Sequence, residues 1–167
     1  MNDFSTDVKL ARGGDSEAFA RLYSLVYKDL YYIALYSLRN SHDASDAVSD
    51  TVLDAFCSIG KLKDEKAFRS WIMKILSAKI KRRQREYFAN TAELTDDMPD
   101  DGFNYENVEL RDAVERLDPQ SRLILSLSAL EGYTGDEIAQ ICDMNAATVR
   151  SRLSRIKERL RLELSGT

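Results

Sequence analysis

One histidine and two cysteines leave this chain poorly equipped for catalysis or for holding a metal ion. His42 has no second histidine and no cysteine nearby, and it reads as a surface loop residue. Cys57 and Cys142 each sit among apolar neighbours at helical spacing. Both are expected in the core, as free thiols of a reducing cytosol. No Gly-rich phosphate loop is visible, and no Ser/His/Asp or Cys/His set assembles at sensible spacing. The expectation is a protein that is not an enzyme and has no cofactor and no metal. The start, MNDFSTDVKL, lacks the basic residues and apolar run of a signal peptide. No apolar stretch approaches membrane-spanning length, so a cytoplasmic protein without membrane insertion is expected.

Nor is there an excess of positive charge. The chain has 24 Lys and Arg against 28 Asp and Glu, a formal charge of -4. That balance looks wrong for a DNA binder until its distribution is considered. The cations crowd into two places, with acids between them, and local fields count more than the sum.

The second cationic place is the C-terminal stretch from Glu131 to Leu164. Thr134 and Glu137 form a capping box that opens a short helix with Ile138, Ala139, Ile141 and Cys142 on its apolar side. Asp143 and Met144 make a turn, and Asn145 can cap a second helix. In that helix Val149, Leu153, Ile156, Leu160 and Leu164 share one face. Thr148, Ser151, Arg155 and Arg159 point away, with Arg150, Arg152, Lys157 and Arg161 on the flanks. The pair reads as a helix-turn-helix suited to the DNA major groove. A solvated face is the plainer alternative, but such faces normally mix Glu with Lys, whereas this one offers Arg and small hydroxyls.

Upstream the chain reads as helices throughout. Phe4 to Arg12 is a short helix capped by Ser5. Asp15 or Ser16 caps a helix with Phe19, Leu22, Tyr23 and Val26, and a second follows with Leu30, Ile33, Ala34 and Leu38. The dense tyrosines, Tyr23, Tyr27, Tyr31, Tyr32 and Tyr36, are read as core packing. Asp43 caps the next helix, with Ala44, Ala47, Val48, Thr51, Val52, Ala55 and Phe56 on one face. Asp46, Ser49, Asp50 and Asp54 are on the other, which suits either solvation or a basic partner. After a loop at 60–64, a helix from Glu65 to Tyr87 carries Phe68, Trp71, Ile72, Ile75, Leu76 and Ile80 inward. Its far end holds Lys74, Lys79, Lys81, Arg82, Arg83 and Arg85. A Trp beside cations suits stacked single-stranded bases; a core Trp and a favourable helix end is the simpler reading. Residues 90–106, acidic and with Pro99 and Gly102, read as a flexible linker. A helix then runs from Asn107 to Leu117, and Asp118 caps another that begins at Pro119 and ends at Glu131-Gly132.

Taken in order, GDSEAFARLY, DASDAVSDTVLDAF, FRSWIMKI, AVERLDPQSRLILSL and LEGYTGDEIAQICDMNAATVRSRLSRIKERL resemble the extracytoplasmic-function sigma factors of bacterial RNA polymerase. The resemblance spans about Gly14 to Leu160. It implies an all-α chain of two small helical domains, residues 1–89 (region 2) and 107–167 (region 4), joined by the linker 90–106. Its implied partners are core RNA polymerase, through the clamp of the largest subunit, promoter DNA, and an anti-sigma factor as a candidate. The polymerase would be met by Asp46, Ser49, Asp50, Val52 and Phe56, and 59–66 would match the loop that captures a flipped minus-ten base. The minus-ten element would be met by Arg69, Trp71, Lys74, Lys79, Lys81, Arg82 and Arg85, with Trp71 mainly packing. The minus-thirty-five element would be read by Thr148, Arg150, Ser151, Arg152, Arg155 and Arg159. Ser49, Ala78 and Arg82 stand where Gln, Asn and Asp are usual in the family, and Ala147 where Gly is common. A stand-alone helix-turn-helix regulator with an N-terminal dimerisation or sensing domain is the alternative, and a helical protein-interaction module a third reading. The two domains are expected as separately folded bodies.

Overall fold

Side-chain caps and apolar periodicity set the helices of the computed structural model, which describes residues 4–90 and 108–165. Helix α1 (Ser5–Arg12) is followed by α2 (Ser16–Leu38), α3 (Ser41–Ser58) and α4 (Phe68–Asn90). Then come α5 (Val108–Glu115), α6 (Pro119–Glu131), α7 (Gly135–Cys142) and α8 (Ala146–Ser165). Among the described residues there is no strand. Most of the stretch expected as a linker lies outside the described residues.

Several sequence expectations are corrected. Ser5 lies inside α1, whose N-cap is Phe4 without a side-chain cap bond. The two helices expected between Asp15 and Asn40 are one, because no Gly or Pro interrupts the apolar stripe from Ala18 to Leu38. Asp15 caps it, accepting from the amides of Glu17 and Ala18. Asn40, not Asp43, caps α3: its side chain accepts from the Asp43 amide, which places His42 in the first helical turn. The loop after α3 contains two short 3-10 turns, Ile59–Lys61 and Glu65–Ala67, so α4 starts at Phe68. Cys57 is exposed, whereas Cys142 is buried as expected. Of these five tyrosines only Tyr36 is buried, and Tyr27 is 44% exposed. They form a ladder along α2, with Tyr27 over Tyr31 at 6.3 Å and Tyr32 over Tyr36 at 6.4 Å.

The N-terminal group is built on α2, which packs on α1 and α3, while α4 closes the bundle against α2 and α3. Its core includes Leu22, Leu30, Ile33, Phe68, Ile72, Met73, Leu76 and Ile80. In the C-terminal group α8 packs on α5, α6 and α7. The two groups do not stand apart. Helix α6 lies on α2, α7 lies on α4, and most buried apolar side chains of both groups form one contiguous cluster.

Candidate nucleic-acid interface

The helix-turn-helix follows the sequence closely. The Thr134 hydroxyl accepts from the Glu137 amide at 3.2 Å, and the Glu137 carboxylate accepts from the Thr134 amide at 2.9 Å. Asp143 turns the chain at φ 54, and Asn145 accepts from the Thr148 amide at 3.2 Å. A feature missed in the sequence is Gly135. A Cβ there would come within 2.9 Å of the Arg150 Cγ, so the two helices meet closely at this point. Val149, Leu153 and Ile156 are buried, which turns Thr148, Ser151 and Arg155 to solvent.

Two flanking arginines, and Arg159 of the outward face, are engaged within the domain. Arg150 pairs with Asp136. Arg159 pairs with Glu163 at 3.1 Å, one turn on. Arg152 reaches Asp118 at 3.4 Å, the residue whose side chain caps α6 through the Ser121 amide. Burial works against the Asp118 charge, but the bonds from Ser121 and the nearby Arg152 outweigh it and hold the carboxyl below its ordinary range. Arg152, expected on DNA, thus also tethers α8 to α6. Between them opens a cleft of about 480 Å3 lined by Arg152, Arg155 and Arg159.

On α4 the expected DNA residues do not share one face. At roughly 100° per residue, Trp71, Lys74, Lys81, Arg82 and Arg85 fall within about 100° of arc, while Arg69 and Lys79 lie off it. Trp71 is half-buried against Phe68, their rings 6.1 Å apart, which agrees with a packing role. Lys79 is drawn to Asp54 at 2.6 Å. Arg82 pairs along its own helix with Glu86, and Arg85 is exposed. Arg69 is bound by Asp29 of α2 and, at 2.7 Å, by Glu131 at the end of α6. Lys81 donates to the Cys142 carbonyl at the end of α7. Lys74 and Trp71 line a groove of about 950 Å3, with Asp136, Glu137 and Met144 on its other wall.

On α3, Asp46, Ser49 and Asp50 are exposed and Val52 is half-buried. Phe56, assigned both to the inner face and to the polymerase, is 51% exposed and touches Phe19 edge-on at 5.2 Å. Leu53 was missed. It is 65% exposed and falls on the acidic face, where an apolar residue out of phase with the core stripe was the available signal. Arg83, read in the sequence only as part of the cationic end of α4, spans from there to Asp50 at 3.3 Å and Asp43 at 3.8 Å. The acidic face of α3 is therefore already partly neutralised from within, by the helix whose cations were expected on DNA.

The chain matches the family Sigma-70 region 2 over residues 22–87 and the family Sigma-70, region 4 over residues 107–160. With this all-α fold, the two matches define a promoter-directing transcription initiation factor. It is 30% identical over 151 residues to the ECF RNA polymerase sigma factor SigM of Mycobacterium tuberculosis, covering 88% of this chain and 77% of that one. It is 27% identical to the RNA polymerase sigma factor SigV of Bacillus subtilis, covering 83% and 86%. Its fold is similar to that of CnrH solved with the cytosolic domain of CnrY, with a TM-score of 0.72 at 20% identity over 99% of each chain. The sigma factor RpoE of Bartonella quintana, solved with the anti-sigma factor NepR, has a TM-score of 0.71 at 22% identity over 88% and 96%. The chain belongs to the extracytoplasmic-function sigma factors of RNA polymerase. The stand-alone regulator is not favoured, since region 2 accounts for most of the N-terminal group. None of the described helices is long and apolar enough to cross a membrane.

Proposed function

We propose that residues 1–89 grip core RNA polymerase and open the minus-ten element, that 90–106 link, and that 107–167 read the minus-thirty-five element. The reading is supported above all by the outward face of α8, where Thr148, Ser151 and Arg155 stand free of the core while the neighbouring arginines are held by acids. Arg155 reads base edges and Arg150, Arg152 and Arg159 set register on phosphates. The exposed acids Asp46 and Asp50, with Leu53 and Phe56, dock on the polymerase clamp. Trp71, Lys74, Lys81, Arg82 and Arg85 line the path of the melted strand. Each domain alone binds DNA weakly. Held on one polymerase, the second contact becomes intramolecular, and two weak contacts make a specific one. The chain supplies no catalytic group, works in the cytoplasm, and takes an anti-sigma factor as a further partner, as RpoE does. Transcription in vitro with core polymerase on a promoter library tests this. Initiation at a defined two-element motif is expected, and no specific initiation would overturn it.

A further inference from the structure

Helix α1 lies ahead of the residues matched to region 2, which begin at 22. It is firmly seated all the same. Val8 and Ala11 are buried where α1 packs on α2, and the ring of Phe4 meets that of Phe68, at the start of α4, at 5.5 Å. Its last residue, Arg12, reaches across to the loop between α3 and α4. The guanidinium donates to the Leu62 carbonyl at 2.9 Å and to the Lys63 carbonyl at 3.4 Å. It also pairs with the Glu65 carboxylate, at the start of the second 3-10 turn. One side chain thus holds three points of a single loop, 50 to 53 residues away in sequence.

This loop, 59–66, is the one whose resemblance implies capture of a flipped minus-ten base. It has little structure of its own. Ile59 and Leu62 are buried in the core, while Gly60, Lys61, Lys63 and Lys66 face solvent. Leu62 and Lys63 lie between the two 3-10 turns, so their carbonyls have no place in either. Without Arg12 those carbonyls would have to turn to water, and the backbone around them would regain its freedom. Arginine suits the task better than lysine. Its planar fork serves carbonyls and a carboxylate together, whereas an ammonium is a single point.

We infer that Arg12 is a positioning residue for minus-ten opening: from α1 it fixes the 59–66 loop in the shape that receives the flipped base, with Lys61, Lys63 and Lys66 turned out toward the phosphates of that strand. This rests on the assignment of residues 1–89 to the minus-ten element. A loop ordered beforehand loses no further freedom at the moment of capture, so more of the binding energy is left to hold the strands apart. Arg12 itself touches no base.

The test combines amide hydrogen exchange with transcription. Arg12→Gln removes both the charge and the fork, and Arg12→Lys keeps the charge alone. Arg21→Gln is the control, because it breaks the Arg21–Asp7 pair that also ties α1 to α2 but leaves the loop untouched. In the free protein, exchange is expected to quicken across 60–66 in Arg12→Gln and not in the control. Transcription uses core polymerase and a promoter library randomised through the minus-ten element. Open complexes should fall roughly tenfold if the unheld loop keeps the receiving shape about one-tenth of the time. Preference at one minus-ten base should flatten, while polymerase association and binding to a minus-thirty-five duplex match the control. Arg12→Lys should fall between, and it carries both readouts if Arg12→Gln loses its helix signal in far-UV circular dichroism. Unaltered exchange in the loop, or a loosened loop with unchanged base preference, would overturn the inference. So would a loss that is equal at every base or shared by Arg21→Gln, which would make Arg12 a residue of stability only. Absence of specific initiation by the unaltered chain would bring down the minus-ten assignment and the inference with it, while exchange would still report whether Arg12 holds the loop.

Discussion

Arg155 and Arg152 lie three residues apart on α8 and have different prospects. Arg155 is exposed on the outward face. Arg152 is held at the cap of α6 by Asp118. Arg155→Ala is expected to weaken binding to a matched minus-thirty-five duplex by about 1–3 kcal/mol and to relax preference at one base position. Titrations against matched and single-mismatch duplexes check this; equal loss on every sequence would make it a phosphate contact. For Asp118 the prediction concerns stability. Its folded pKa lies below the ordinary value, so its contribution is complete above that value and is lost as pH falls through the folded one. Asp118→Ala should cost about 1 kcal/mol near neutral pH, the usual worth of a cap. The gap in urea midpoint between the two proteins should close below about pH 4. A gap that widens in acid would mean the carboxylate is not what stabilises. At this scale the sequence showed which side of α8 was cationic, because helical phase is local. Which arginine met which acid was hidden, since Asp118 is 34 residues from Arg152.

Helix α3 is where two charged surfaces touch. Its acids were read from sequence as one polar face, and Asp46, Ser49 and Asp50 are indeed exposed together. What that pattern could not show is that α4 lies alongside and lends Lys79 and Arg83 to Asp54 and Asp50. The caps show the same limit. Asp118, Thr134 and Asn145 were legible because each stands alone before its apolar run, whereas Asp15 could not be told from its neighbour Ser16. In Asn40-Ser41-His42-Asp43 every residue but His42 is a good cap, and composition does not choose among them. Reversing Asp46 and Asp50 to Lys is expected to abolish association with core polymerase. It should cost little stability, because exposed ion pairs are worth about 0–1 kcal/mol each. Pull-down on core polymerase beside a melting curve separates the two effects. Retained association at unchanged melting would remove α3 from the docking surface.

For the whole molecule, the apolar stripes of α6 and α7 read equally well as the private core of a C-terminal domain. Periodicity tells which face of a helix is buried but not what covers it. Here α2 covers part of α6, and α4 lies against α7, so the two domains expected to stand apart share one buried cluster. Trp71 makes this arrangement observable. It is the only tryptophan, it is half-buried, and it lines the α4–α7 groove with Ala139, Ile141 and Met144. Its fluorescence therefore reports the contact between the groups, while far-UV circular dichroism reports helix throughout. In the native chain the two signals should lose structure together on heating, as one cooperative unit. In Glu131→Arg, Trp71 should emit further to the red before heating, because its groove has opened to water. The helix signal should then separate into two steps, since neither group still lends apolar cover to the other. Coincident transitions with unshifted emission in that variant would mean that apolar packing of α6 on α2 alone keeps the groups together, with the Arg69–Glu131 pair contributing nothing to their contact.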